Sequence, residues 1–93
     1  MQVLQSNSFA KVVKKLHATQ KVALDEAVRT ILSDPLIGEA KIGDLAMVRV
    51  YKFRVINQLT LLAYIYNEQS PSITLLALGS HENFYRNLKN QIR

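Results

Sequence analysis

A histidine and a tyrosine four residues apart, His81 and Tyr85, are the pair whose types and spacing could carry acid–base chemistry. They lie in LGSHENFYRNL, residues 78–88, directly after an apolar run. Ser80 is a residue type that caps helix starts, and a helix begun there places residues four apart on one face, with Lys89 continuing the line. The free N–H groups of that helix start attract phosphate, and its positive end disfavours imidazolium. The segment therefore predicts a phosphate-binding site with a neutral histidine.

Cleavage of RNA fits this pair of residues. The 2′-hydroxyl is the nucleophile, so the reaction needs a base, an acid for the leaving oxygen, and cations beside the phosphorus. His81 or Tyr85 would move the protons. Three of the cations would come from the strand-like segment MVRVYKFR, and two from the C-terminal segment that holds the histidine and the tyrosine. They are Arg49, Lys52, Arg54, Arg86 and Lys89. The chain has no cysteine and its two histidines are far apart, so we expect neither a metal site nor another cofactor.

The basic strand raises a geometric difficulty. Side chains alternate across a strand, so Arg49 lies on one face and Lys52 and Arg54 lie on the other. Val48 and Val50 share the face of the lysine, and we expect these valines to pack against helices. With that orientation, a bulge or a strand end would be needed before Lys52 and Arg54 could turn toward a common cleft.

Each candidate also has a structural interpretation. A single histidine in a first helical turn is more often a surface or capping residue, and Tyr85 would suit a packed aromatic position. Basic residues on a strand are ordinarily a solvated face. His17 is expected to end a helix, where a cation is favoured. The remaining tyrosines either stack on bases or pack across strands: Tyr51, Tyr64 and Tyr66.

Helical spacing predicts the elements that precede the basic strand. Apolar residues recur at i, i+3, i+4 and i+7 within 9–16 and again within 24–32, with Ser8 and Thr19 as the expected N-caps. The sequence SDP at 33–35 ends the second helix, because the residue before proline avoids the helical region. The short connection between the two helices predicts an antiparallel hairpin.

Three later segments read as strands: AMVRVYKFR, LTLLAYIY and SITLLALG. They are rich in β-branched, aromatic and leucine residues, and turn-like residues separate them, so we expect a meander. The last is almost wholly apolar, which predicts an interior strand. MQVLQS at the start reads as an edge or entry strand, and the segment after Ser80 reads as a final helix. The predicted class is α+β with the order β-α-α-β-β-β-α.

Composition limits the kind of protein this is. Ninety-three residues with 48% hydrophobic side chains predict a single folded domain over 1–93. Twelve Lys and Arg against seven Asp and Glu give a net charge of +5, which favours polyanionic partners. No apolar stretch approaches the roughly 20 residues of a membrane-spanning helix. The start has no features of a secretory signal, and with no cysteine for disulfides we expect a cytoplasmic protein.

The element order, with MVRVYKF, LTLLAYIY and ITLLALGSHENFYRNLK, resembles the RelE/ParE superfamily of toxins from bacterial type II toxin–antitoxin pairs. The most specific part is a strand that runs into G-x-H-x-x-x-Y, here Gly79, His81 and Tyr85. The resemblance implies a microbial-ribonuclease-like, RelE-like fold, in which a helical hairpin packs on an antiparallel sheet and the other, concave face holds the active site. In the RelE branch, it implies cleavage of messenger RNA in the ribosomal A site.

By this resemblance, Lys52 and Arg54 match the basic strand of RelE-type enzymes, and the histidine and tyrosine match the terminal acid and base positions. One position departs from the pattern. RelE-type enzymes usually carry an arginine early in the next strand, where this chain has Leu59 and Thr60. Arg49 or Arg54 would then have to supply the missing cation.

We therefore expect an endoribonuclease toxin whose partners are a cognate antitoxin, messenger RNA and the ribosome. Two alternatives stay open. The same fold could act on DNA, either by nicking it or by inhibiting gyrase as the ParE branch does, although that branch generally lacks the histidine and tyrosine. A non-catalytic module that only binds an antitoxin is the other alternative, since a disordered acidic segment would fold onto a basic, apolar surface.

Overall fold

A five-stranded sheet with two helices on one face forms the protein, as seen in a computed structural model that describes residues 1–80, 84, 85 and 88. The described order of strands in the sheet is β1-β5-β4-β3-β2. This confirms the predicted α+β class. The elements are β1 (Gln2–Gln5), α1 (Asn7–Lys14), α2 (Ala18–Ser33), β2 (Glu39–Ala40), a 3-10 turn (Gly43–Leu45), β3 (Arg49–Val55), β4 (Gln58–Asn67) and β5 (Ser72–Ser80).

The last three strands form the predicted antiparallel meander. Strand β5 is interior, as its apolar sequence predicted, because it pairs with β4 on one side and β1 on the other. The expectation of an antiparallel sheet holds for the meander, whereas β1 runs parallel to β5. Ser6 fixes this pairing where the chain leaves β1: its N–H donates to the Leu75 carbonyl at 3.0 Å, and its Oγ donates to the Leu76 carbonyl at 3.0 Å.

The two helices begin at other caps than the predicted ones. Ser6 is the N-cap of α1, because its Oγ accepts the Phe9 N–H at 3.1 Å, so Ser8 lies inside the helix. Helix α2 begins after His17, whose N–H donates to Gln20 Oε1 at 2.9 Å. The prediction that this histidine ends a helix is therefore wrong. The end of α2 at residue 33 is as predicted.

Apolar clusters cover both faces of the sheet. On the helix face, α1 and α2 pack against β4 and β5 through buried residues: Phe9, Leu24, Ala27, Ile31, Leu62, Tyr64, Ile73 and Leu75. On the other face, Phe84, Leu88 and the turn before β3 supply the cover. That cluster consists of Leu45, Val48, Val50, Leu61, Ala63, Ala77, Phe84 and Leu88. Burial on both faces gives the sheet two separate layers of hydrophobic stabilisation.

The position of two valines corrects the sequence-based orientation of β3. Val48 and Val50 were expected under the helices, yet they lie in the cluster with Phe84 and Leu88. Leu45, Phe84 and Leu88 give this face an apolar cover of its own, which lets both valines be buried away from α1 and α2.

In the described part of the chain, no helix is long and apolar enough to cross a membrane.

Candidate nucleic-acid interface

The basic residues of β3 lie on the sheet face opposite α1 and α2, here called the open face, where Phe84 and Leu88 pack over only part of the sheet. Lys52 and Arg54 follow Val48 and Val50 along the strand, so alternation places all four side chains on this face. Lys52 pairs with Leu61, which is buried in the same cluster. Both basic side chains are exposed, next to an apolar floor.

No bulge is needed to bring these cations to the open face. The register of β3 with β4 is continuous from the Arg49 pair with Tyr64 to the Val55 pair with Gln58. The irregularity in the meander lies between β4 and β5, at Ala63/Tyr64. The bulge was predicted because Val48 and Val50 were assigned to the wrong face.

A strained turn follows the basic residues. Arg54 Nη1 donates to the carbonyl of Asn57 at 3.5 Å, a long contact across the tip of the β3–β4 hairpin. The two residues of this turn, Ile56 and Asn57, have φ values of 48° and 66°. Such two-residue hairpin turns favour Asn and Gly, and a β-branched residue there is strained.

Tyr85 lies on the same face of the sheet, in a helical stretch after β5. It is half-buried, and its ring meets Phe84 edge to face, with centroids 5.3 Å apart and an interplanar angle of 88°. Phe84 is buried and packs over Gly79, where a Cβ would lie in ordinary van der Waals contact with its ring, at 3.6 Å. This packing anchors the tyrosine against the sheet without enclosing it.

Lys41, a residue that the sequence analysis missed, contacts Tyr85. Its Nζ lies 5.1 Å from the centre of the Tyr85 ring and 2.9 Å from Glu39 Oε1. The hydrogen bond that Lys41 donates to Glu39 is the main cause that raises the pKa of Lys41, and a hydrogen bond with Tyr85 raises it further. Lys41 lowers the pKa of Glu39 in return, with a smaller contribution from Lys52. Lys41 and Glu39 therefore place a close pair of opposite charges beside the ring of Tyr85.

Arg49 is on the same strand but has a different environment. Its Nη1 donates to the carbonyls of Leu36 and Gly38, at 3.1 and 2.8 Å. Tyr64, its partner across the sheet, bonds the same loop: its hydroxyl donates to the Pro35 carbonyl at 2.7 Å and accepts the Gly38 N–H at 2.9 Å. These bonds hold the loop between α2 and β2, and they support a structural role for Arg49.

The other predicted site residues fall outside the described part of the chain. They are His81, Arg86 and Lys89. Of the predicted set, the described residues bring Lys52, Arg54 and Tyr85 to one face of the sheet and place Arg49 on the other. The described structure adds Lys41 to this set. Lys41 follows a strand of only two residues and precedes Gly43 by two positions, so the sequence around it has no periodic pattern.

The five-stranded sheet with both helices on one face agrees with the fold that the resemblance implied. The family model of the ParE-like toxin of type II bacterial toxin–antitoxin systems matches residues 3–89. The chain therefore belongs to this toxin family, and the predicted membership of the RelE/ParE superfamily is confirmed. The chain shows no detectable sequence similarity to a curated protein.

Solved toxin structures share the fold. The RelE toxin of E. coli, in a double arginine-to-alanine variant in the free state, superposes with a TM-score of 0.76 at 16% identity, covering 98% of this chain and 92% of that one. A chain of the intact E. coli RelBE toxin–antitoxin complex gives 0.73 at 18%, covering 87% and 96%. The YoeB/ParE toxin of Agrobacterium tumefaciens gives 0.69 at 15%, covering 87% and 99%.

Proposed function

We propose that this toxin is an endoribonuclease that cleaves messenger RNA at the ribosome without a metal ion. The observation that supports the proposal most strongly is the arrangement of Lys52, Arg54 and Tyr85 on one sheet face, with Lys41 beside the phenol. Two exposed cations on a fixed strand are suited to hold a phosphodiester, and a half-buried tyrosine next to them is suited to exchange a proton with it.

The proposed chemistry uses the substrate's own nucleophile. The 2′-oxygen attacks phosphorus, the bond from phosphorus to the 5′-oxygen breaks, and a 2′,3′-cyclic phosphate remains. Tyr85 and His81 between them take the proton from the 2′-hydroxyl and give one to the leaving oxygen, with His81 assigned from the sequence alone. Lys52 and Arg54 offset the charge that develops on the phosphate oxygens, and Arg86 and Lys89 would bind the flanking backbone.

Primer extension on messenger RNA in a translating extract tests this function. We expect wild-type protein to produce discrete cuts with cyclic-phosphate ends. Tyr85→Phe should slow cutting by about 10² to 10⁴, the usual contribution of a general acid or base. Tyr51→Phe is the matched control, because Tyr51 packs on Phe53 in the helix-face layer. Intact transcripts in the presence of wild-type protein and active ribosomes would refute the proposal.

We also propose that the toxin binds a cognate antitoxin, as E. coli RelE does in the RelBE complex. Apolar side chains are exposed along β1 and α1, including Val3, Leu4 and Val12, and the chain carries a net charge of +5. An acidic, amphipathic segment that orders on binding would match both properties. Co-expression with the product of an adjoining short reading frame, followed by co-purification, tests this partner.

Inhibition of DNA gyrase or nicking of DNA is the second candidate, favoured by the ParE-like description of the family that matches. DNA has no 2′-hydroxyl, so a nick would need a metal-activated water or a covalent bond to Tyr85. Supercoiling by gyrase and relaxation of plasmid, each with and without chelator, separate these actions from RNA cleavage. Absence of all three activities, with unimpaired growth on unopposed expression, would leave antitoxin binding as the function.

A further inference from the structure

Lys41 occupies a position unusual for a lysine. Its side chain is only 18% exposed, although lysine is among the residues least often buried. The backbone N–H of Lys41 donates to the Val48 carbonyl at 3.0 Å, so the residue is fixed beside β3. From there the side chain extends over the open face, and its ammonium lies above the Tyr85 ring, 5.1 Å from the centroid.

The contacts of this ammonium point to a role beyond a surface ion pair. Glu39, its carboxylate partner at 2.9 Å, is itself 64% exposed, and pairs of this kind add little stability. Burial alone would lower the pKa of Lys41, yet Glu39 and Tyr85 together raise it, so the ammonium stays charged at neutral pH. A charged, partly desolvated ammonium over an aromatic ring is a favourable and directional contact.

We propose that Lys41 is a positioning residue for Tyr85. Glu39 holds the ammonium of Lys41, and the ammonium holds the phenol ring on the open face, within the layer that contains Lys52. The inference rests on the proposed RNA cleavage for its functional meaning. A proton donor or acceptor must be held in a reactive geometry, and a displacement of about 1 Å can reduce the rate by roughly 10².

Cleavage kinetics with Lys41 variants test the role. Lys41→Met should lower the maximal cleavage rate by roughly 10- to 100-fold and leave the half-saturating RNA concentration unchanged. Lys41→Arg should restore most of the rate, because a guanidinium also binds over an aromatic ring. In a Tyr85→Phe background, Lys41→Met should cause little further loss. A raised half-saturating concentration, with the same loss in both backgrounds, would mean that Lys41 binds RNA directly and would overturn the inference.

A second readout does not depend on activity. In protein with ¹³C-labelled tyrosine rings, Lys41→Met should shift the ring signals of Tyr85 and leave those of Tyr51 in place. Glu39→Gln should cause a smaller shift of the same signals, which keeps the test usable if Lys41→Met does not fold. Unshifted Tyr85 signals in folded variants would overturn the inference even if RNA is cleaved. Wild-type protein that cuts no RNA would refute the proposed function, while the ring signals would still decide whether Lys41 positions Tyr85.

Discussion

The two faces of the sheet use polar side chains in opposite ways. On the helix face, Tyr64 and Arg49 direct their polar atoms to backbone groups of one loop, and these hydrogen bonds are internal to the protein. On the open face, Lys52 and Arg54 are exposed beside an apolar floor. A single strand, β3, supplies cations to both faces. The partner groups of a cation, and not its presence on a basic strand, therefore separate a scaffold residue from a candidate site residue.

Removing a cation from the open face should have the largest effect on activity. Lys52→Met should reduce RNA cleavage by about 10² to 10³, which is typical for loss of one group that stabilises developing charge. Lys11→Met removes the same charge from the exposed surface of α1 and should change the rate little. Equal losses of cleavage in the two variants would mean that net charge, and not the open face, controls the activity.

Removing the hydroxyl from Tyr64 should affect stability and leave cleavage per folded molecule unchanged. Tyr64→Phe leaves the Pro35 carbonyl and the Gly38 N–H without their hydrogen-bond partner, which should lower the free energy of unfolding by about 1 to 3 kcal/mol. The replacement also tests the contrast between the faces, because the Tyr64 side chain lies on the helix face and the proposed reaction on the open face. Urea unfolding followed by circular dichroism measures the loss. A fully stable variant with impaired cleavage would contradict the contrast.

The same tyrosine should make the free energy of unfolding fall at alkaline pH. Burial raises the pKa of Tyr64 above its ordinary value of 10.0. A raised folded-state pKa means that the neutral hydroxyl stabilises the fold fully below pH 10 and that this contribution is lost as the pH rises through the folded value. The stability difference between wild type and Tyr64→Phe should therefore shrink above pH 10, measured by the same urea unfolding. A difference that is constant with pH would contradict this reasoning.

Relief of the strained hairpin beside Arg54 should have the smallest effect. Ile56→Asn should raise the free energy of unfolding by about 1 kcal/mol, because Asn accepts a positive φ more readily than a β-branched residue does. Met47→Asn is the matched control: Met47 is also highly exposed but does not have a positive φ. Thermal or urea unfolding of the pair distinguishes backbone strain from loss of an exposed apolar side chain.

Much of the fold could be predicted because it is encoded locally. The apolar periodicity of 9–16 and 24–32 predicted two helices, and the β-branched runs predicted three strands with the last one interior. The structure has both helices and all three strands, with β5 inside the sheet. The first cap was missed because Ser6, Asn7 and Ser8 are all capping residue types, and the sequence does not choose among them. The second was missed because α2 begins after His17, which is not a preferred N-cap type. The parallel pairing of β1 joins residues about 70 positions apart, which local patterns do not encode.

The candidate site was harder to predict for three physical reasons. Strands β4 and β5 are apolar on both faces, so their pattern did not show which face meets the helices, and Val48 and Val50 were misassigned. The partners of Arg49 are backbone carbonyls, which have no signature in the sequence. Lys41 follows a strand of two residues, too short for alternation to predict its face.

Two arginines on β3 provide the most direct measurement of the central claim, that the open face acts on RNA and the helix face holds the fold. We expect Arg54→Met to reduce cleavage in the translating extract at least tenfold with little change in unfolding free energy. Arg49→Met should show the reverse, losing about 1.5 to 3 kcal/mol of stability and keeping its cleavage rate per folded molecule. If folded Arg49→Met loses cleavage as severely as Arg54→Met does, the assignment of the two faces is wrong.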